Sequence, residues 1–227
     1  MLNLKHDVKV NIPHEKEWKR WLLYVFMVLG YTYLIFNIPD YIWNMTVYRF
    51  ARYVIDVIKL LLPIWYIRKL GLKKDVLFGG KNLAFQLLTG CGFAVLAALI
   101  VSIPDIKTGA EYLRATSNIW TILDTIYRYV LLAGIVEELM FRIAMQEGLS
   151  KLIGSKKMSF IVPLITAVLF GIWHYPFAFS MKQVCITAIM GLFWGYGRMY
   201  AGWNLIGLAV SHSVYDVLVI YLPTWLS

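Results

Sequence analysis

The 227-residue chain is 60% hydrophobic and 16% aromatic but only 15% charged, whereas a soluble domain is about 45–50% apolar and about 25% charged. That balance excludes an ordinary soluble enzyme and predicts a multi-span membrane protein; with the spans and the polar layer taken below, the expected fold is an all-α, polytopic transmembrane bundle of about seven helices with a central polar cavity. The net charge of +9 does not point to nucleic acid, because the basic residues cluster between apolar segments, as in loops that face an anionic cytoplasmic leaflet.

Residues 1–20 form a polar, cytoplasmic N-terminal segment carrying Lys5, Lys9, Lys16, Lys19 and Arg20. No small-residue cleavage site follows the apolar run Trp21–Asn37, so it reads as a retained first span closed by Pro39, not as a signal peptide. Span two, Tyr48–Ile67, carries Arg52, Asp56 and Lys59 at helical spacing, which reads as local ion pairing in a tilted or partly interfacial helix. A basic loop (Arg68, Lys69, Lys73, Lys74, Lys81) leads to span three, Leu83–Ile103, and a polar loop with Lys107 and Arg114 leads to span four, Thr121–Leu149. After Lys151, Lys156 and Lys157 come span five, Ser159–Tyr175, which Pro176 is expected to end, then span six, Val184–Met199, and span seven, Asn204–Leu222. Asp124 and Arg128 are spaced for a local ion pair. Gly191 and Gly195 are spaced for close helix packing. Cys91 and Cys185 lie in apolar runs and give neither a disulfide framework nor metal-type spacing. Trp18, Trp21, Trp43, Trp120, Trp203 and Trp225 flank spans, as interface anchors do. Basic residues favour the N-terminal side of the expected loops by 15 to 5, which places the N-terminus in the cytoplasm of a multi-pass integral membrane protein.

Chemistry concentrates in span four. Glu137, Glu138 and Arg142 interrupt a run of apolar residues, at roughly 2.5–3.5 kcal/mol for each ionisable group near a bilayer centre. Glu138 and Arg142 are four apart in acid-first order, so an α-helix pairs them. Glu137 is turned about 100° away and is the carboxylate available for chemistry. Span five places Phe170 and His174 four apart on one face, and span seven does the same with His212 and Asp216. At about 1.5 Å of rise per residue, Glu137 lies about 16 Å from the cytoplasmic helix ends, His174 about 22 Å, His212 about 12 Å and Asp216 about 18 Å. These four converge on one mid-membrane layer. Ionisable groups held at that depth are functional-site candidates.

The set Glu137-Glu138-x-x-x-Arg142, Phe170-x-x-x-His174 and His212-x-x-x-Asp216 resembles the motifs of the CAAX-protease and bacteriocin-processing family, the glutamate-type intramembrane proteases also called Abi proteins. The resemblance covers about 121–217, the catalytic motif region of what reads as a single membrane domain over 1–227. It implies that Glu137 and His174 activate a water while His212 and the residue at Asp216 stabilise the oxyanion, with Glu138, Arg142 and Phe170 in supporting roles. The best-studied members carry asparagine at the last position. Asp216 departs from that, as bacterial branches do, and an ionised aspartate cannot donate a hydrogen bond. It could instead hold His212 in one tautomer or act as a protonated acid.

The resulting expectation is an endopeptidase of a bacterial cell membrane, acting on a membrane-associated peptide or protein, with no cofactor and no nucleic-acid partner. A zinc-dependent version would use Glu137, His174 and His212 as the His₂Glu set of catalytic zinc, but no His-Glu-x-x-His helix is present and the resemblance implies a metal-free site. A non-catalytic bacteriocin-immunity or peptide-binding protein would retain the same polar layer. A proton-coupled transporter also uses buried acids and histidines, yet the chain shows no inverted repeat.

Overall fold

The computed structural model describes residues 14–36, 45–80, 82–102, 119–154, 159–178 and 180–225. Residues 1–13, Lys81, Lys107, Arg114, Lys156 and Lys157, with Pro39 and Trp43, lie outside these ranges, so much of the charge asymmetry expected of the loops is not described. The described residues are helical and contain no strand. In chain order the elements are α1 (His14–Phe36), α2 (Met45–Lys69), a short α3 (Lys74–Phe78) within the basic loop, α4 (Leu83–Ser102), α5 (Ile119–Thr125), two π-helical segments π1 (Ile126–Glu137) and π2 (Leu139–Met145), α6 (Gln146–Ile153), α7 (Ile161–Ala178), α8 (Met181–Met199) and α9 (Leu205–Trp225).

Several sequence expectations change. Pro176 does not end span five: α7 passes through it to Ala178, because proline removes one backbone donor and only biases its predecessor away from helix. Span four is not a regular α-helix but is largely π-wound, with backbone bonds five residues apart instead of four, so faces recur at wider spacing than the 100° step assumed for Glu137 and Glu138. Among the described residues, Leu83–Val101 alone is both long and apolar enough to cross a bilayer, at a mean hydropathy of 2.1. The apolar stretches Ile161–Pro176 and Leu205–Tyr221 are shorter, and charged side chains interrupt α2 and the π segments. By this criterion the seven expected spans become one clear candidate.

Contacts cluster into two compact units. The first comprises Met1–Lys73 and Leu139–Tyr200. Here α7 and α8 pack closely because glycine removes the obstructing side chains: a Cβ at Gly171 would sit 2.6 Å from the Val184 carbonyl oxygen, and one at Gly191 would sit 2.9 Å from Phe170 Cδ1. Gly195 approaches Gln146 and Pro163 in the same way, so the Gly191/Gly195 pair does the packing its spacing suggested. Helix α1 supports π2 through two long side chains, the Trp21 indole N–H donating to the Met145 carbonyl at 2.9 Å and the Tyr24 hydroxyl to the Met140 carbonyl at 3.1 Å. Trp21, expected as an interface anchor, is therefore buried. Gly154 closes α6 in the left-handed conformation, φ 59°, a region that costs glycine no steric penalty.

The second unit comprises Lys74–Glu138 and Ala201–Ser227. Helix α4 is apolar around its whole circumference, but Gln86, Gly90, Ala94 and Ala98, each four residues after the last, form a buried stripe of mostly small residues. Against it lies α9, where Ser211 Oγ donates to the Gly90 carbonyl at 2.9 Å. Gln86 joins α4 to the start of α9 by accepting the Asn204 N–H at 2.8 Å, and Asn204 Oδ1 in turn caps α9 by accepting the Gly207 N–H at 3.0 Å. Trp203, another expected anchor, is buried at this junction.

Candidate active site

The residues singled out by the motifs divide between the units. Glu137, Glu138, His212 and Asp216 belong to the second, and Arg142, Phe170 and His174 to the first. All are buried or half-buried in helices.

In the second unit, π1 and α9 approach closely at Gly134, where a Cβ would collide with Ser213 Oγ and lie 3.0 Å from the Ala209 carbonyl oxygen. Ser213 keeps its hydroxyl inside α9 by donating to that carbonyl at 2.7 Å. The approach brings Glu138 Oε1 to 2.7 Å from His212 Nδ1, with side-chain exposures of 0% and 4%. On the other edge of the ring, His212 Nε2 is 3.6 Å from Asp216 Oδ2, and Asp216 keeps 19% exposure. This separation is ion-pair range, too long for a hydrogen bond. An ionised carboxylate only accepts, so a charged Glu138 requires the proton at Nδ1 of His212. Glu138 thus has a histidine partner that the i,i+4 spacing did not suggest. Glu137 is the last residue of π1 and is buried.

In the first unit, the Arg142 guanidinium is buried among rings, 4.2 Å from the Phe170 centroid, 5.3 Å from Trp194 and 6.0 Å from Phe141. Phe170 also meets the His174 ring edge-on at 4.5 Å, and Trp173 meets it at 4.8 Å. His174 Nδ1 lies 2.8 Å from the Phe170 carbonyl oxygen. That oxygen only accepts, so Nδ1 carries the proton and Nε2 of the neutral ring is the basic nitrogen. The motif Phe170-x-x-x-His174 is therefore one device: backbone oxygen and aromatic ring of the first residue orient the imidazole of the second. Lys59 places its ammonium 5.3 Å over the Trp173 ring, and Asp56 is buried. A cleft of about 400 Å³ beside this helix is lined by Leu29, Ile172, Trp173, Tyr175, Pro176, Met181 and Val184. Its walls are almost entirely apolar.

Among the described residues, no three His, Cys, Asp or Glu side chains are grouped to hold a metal ion. The Asp124–Arg128 pair forms as its spacing suggests, at 2.6 Å. Sequence reasoning passed over Gln86 and Gln146, the latter donating from Nε2 to the Gly195 carbonyl at 2.9 Å. A lone amide in an apolar run was the available signal. It passed over the Arg198–Glu147 pair as well, at 2.7 Å, for which a separation of 51 positions leaves no local signal.

The comparison with known proteins falls on the same region. A family model, Type II CAAX prenyl endopeptidase Rce1-like, matches residues 115–218. The matched segment is similar to that family. It spans a little under half of the chain and contains every motif residue, Glu137 to Asp216, and it is the family that those motifs resemble. No curated protein and no solved structure matches. The family that this segment resembles is one of membrane-embedded proteases acting on peptide or protein substrates, and the apolar α4 agrees with a membrane-embedded fold.

Proposed function

We propose that this protein is a multi-pass intramembrane endopeptidase that hydrolyses a peptide bond of a membrane-associated peptide or protein. The observation that carries the proposal is the coincidence of the Rce1-like segment with three polar motifs held inside apolar helices. In this reading the whole chain is one membrane domain, and Glu137 and His174 activate the attacking water. Peptide hydrolysis needs a base for that water and donors for the oxyanion. His174 suits the first task because its Nδ1 proton is committed to the Phe170 carbonyl. His212, together with the residue at Asp216, serves the oxyanion. In this reading no metal takes part.

The deciding measurement compares, by mass spectrometry, the peptides in membranes carrying the wild-type protein or Glu137→Gln. Peptides released by the wild type should disappear or fall by about 10²–10⁴-fold in the variant, the range for loss of a general base, while the variant remains folded in the membrane. Undiminished release by Glu137→Gln rejects the proposal. Elemental analysis of active protein tests the metal-free form: stoichiometric zinc and chelator-sensitive turnover would replace it with a zinc enzyme.

A further inference from the structure

We infer that Glu138 is the positioning residue of His212, fixing its tautomer and ring orientation, so that the paired acids of the motif have separate histidine-directed and water-directed tasks. The inference rests on the protease reading for its catalytic consequence, but its geometric content stands alone. Spacing alone assigns Glu138 to Arg142, and it leaves Asp216 as the candidate for holding the His212 tautomer. The geometry assigns that task to Glu138: its Oε1 is at hydrogen-bond distance, 2.7 Å, from Nδ1, whereas Asp216 faces the opposite nitrogen at 3.6 Å. The contact is fully buried on the Glu138 side. Truncating one partner leaves the other buried without its hydrogen bond.

The surroundings are built for this contact. Ser211 and Ser213 flank His212 in sequence. The first bonds to the Gly90 carbonyl of α4, and the second sits against Gly134 of π1. Each serine meets a glycine, so α9 is fixed against a neighbour on two sides at the level of the histidine. Gly134 lies four residues before Glu138 in the same helical run. The carboxylate therefore reaches Nδ1 from a backbone already held close. With Nδ1–H given to Glu138, Nε2 is the nitrogen left to face Asp216 and the reacting group. It can donate to an oxyanion only when the ring carries both protons.

The test uses the full-length protein in detergent micelles, labelled with ¹⁵N at histidine, with the His212 signals assigned by their loss in His212→Gln. The wild type should show a protonated Nδ1 at His212. Glu138→Leu, which keeps most of the volume but cannot accept a hydrogen bond, should shift the ring to a mixture or to the other tautomer. Glu138→Ala serves if leucine prevents folding. A wild-type ring without a proton at Nδ1, or an Nδ1 signal unchanged in the variant, overturns the inference. On the peptides that distinguish wild type from Glu137→Gln, the Glu138 variant should lose about 10²–10⁴-fold in rate, as orienting groups of catalytic histidines do. Combined with His212→Ala it should lose nothing further, since both changes remove one device. Additive losses would also overturn the inference. If Glu137→Gln cleaves normally, the protease reading falls, and the ¹⁵N result still decides whether Glu138 holds the ring.

Discussion

Phe170 shows how one residue can be legible as important while its work stays hidden. Its four-residue spacing to His174 was visible in the sequence, but spacing suggests two side chains on a face. The histidine actually uses the Phe170 main-chain oxygen, while the ring contacts His174 on one side and the Arg142 guanidinium on the other. These roles separate by substitution. Phe170→Ala retains the carbonyl and therefore the His174 tautomer, but it empties a buried aromatic site, at about 3–5 kcal/mol, and strips the π face from a desolvated cation, at about 2 kcal/mol if counted separately. Thermal unfolding in detergent should register a large drop in midpoint, with Phe170→Leu losing less. Cleavage per folded molecule should fall far less than in His174→Ala. Equal loss of turnover in the two alanine variants would show that the ring, not the carbonyl, sets the imidazole. The Glu138 contact was hidden for a different reason: the partner is 74 residues away, and an arginine four residues along offered a complete local explanation.

Elements were placed well from the sequence where apolar runs are bounded by charge or turn residues. The seven runs fall on helices or helical stretches: α1 begins seven residues before the expected Trp21, and the other described ends differ from expectation by four residues or fewer. Winding was not legible, because the sequence argument assumes a 3.6-residue period, and the π segments bond at five. Such winding is rare and recurs at functional sites, and here it occupies Ile126–Glu137 and Leu139–Met145, on both sides of Glu138. The glycines that matter are also element-scale features. Gly134→Ala puts a methyl group against Ser213 Oγ and the Ala209 carbonyl, forcing the serine to rotate away from its 2.7 Å bond or π1 to withdraw from α9. A cost of about 1–3 kcal/mol is expected for such overpacking, read as a lowered unfolding midpoint. Adding Ser213→Ala removes the nearest obstruction. The double variant should therefore be more stable than the sum of the two single changes, a positive coupling between neighbours. Simple additivity would mean that the two helices do not meet at Gly134.

For the molecule as a whole, composition foretold the helical class and the apolar exterior. Phe26 at 74% and Leu88 at 77% exposure are large apolar side chains turned outward, one in each unit. Singly they mean little, but α4 is apolar on every side, and outward faces of this kind are at ease only in lipid or against a partner. Length and hydropathy mark only α4 as a span, because the same charges that make the chain interesting interrupt the other runs. The positive-inside asymmetry supplies what hydropathy does not. On the sequence expectation, fifteen basic residues on one side of the loops against five on the other predict a cytoplasmic N-terminus, and seven crossings would then put the C-terminus outside. Full-length fusions check both ends. An alkaline phosphatase fused after Ser227 should be active and a fluorescent protein at the same place dark, with the reverse at the N-terminus, and the protein should stay in membranes through alkaline carbonate extraction. A fluorescent C-terminal fusion with a cytoplasmic N-terminus would mean an even number of crossings. In that case one of the interrupted runs, with α2 and its Asp56 and Lys59 the first to suspect, lies along the membrane surface instead of through it.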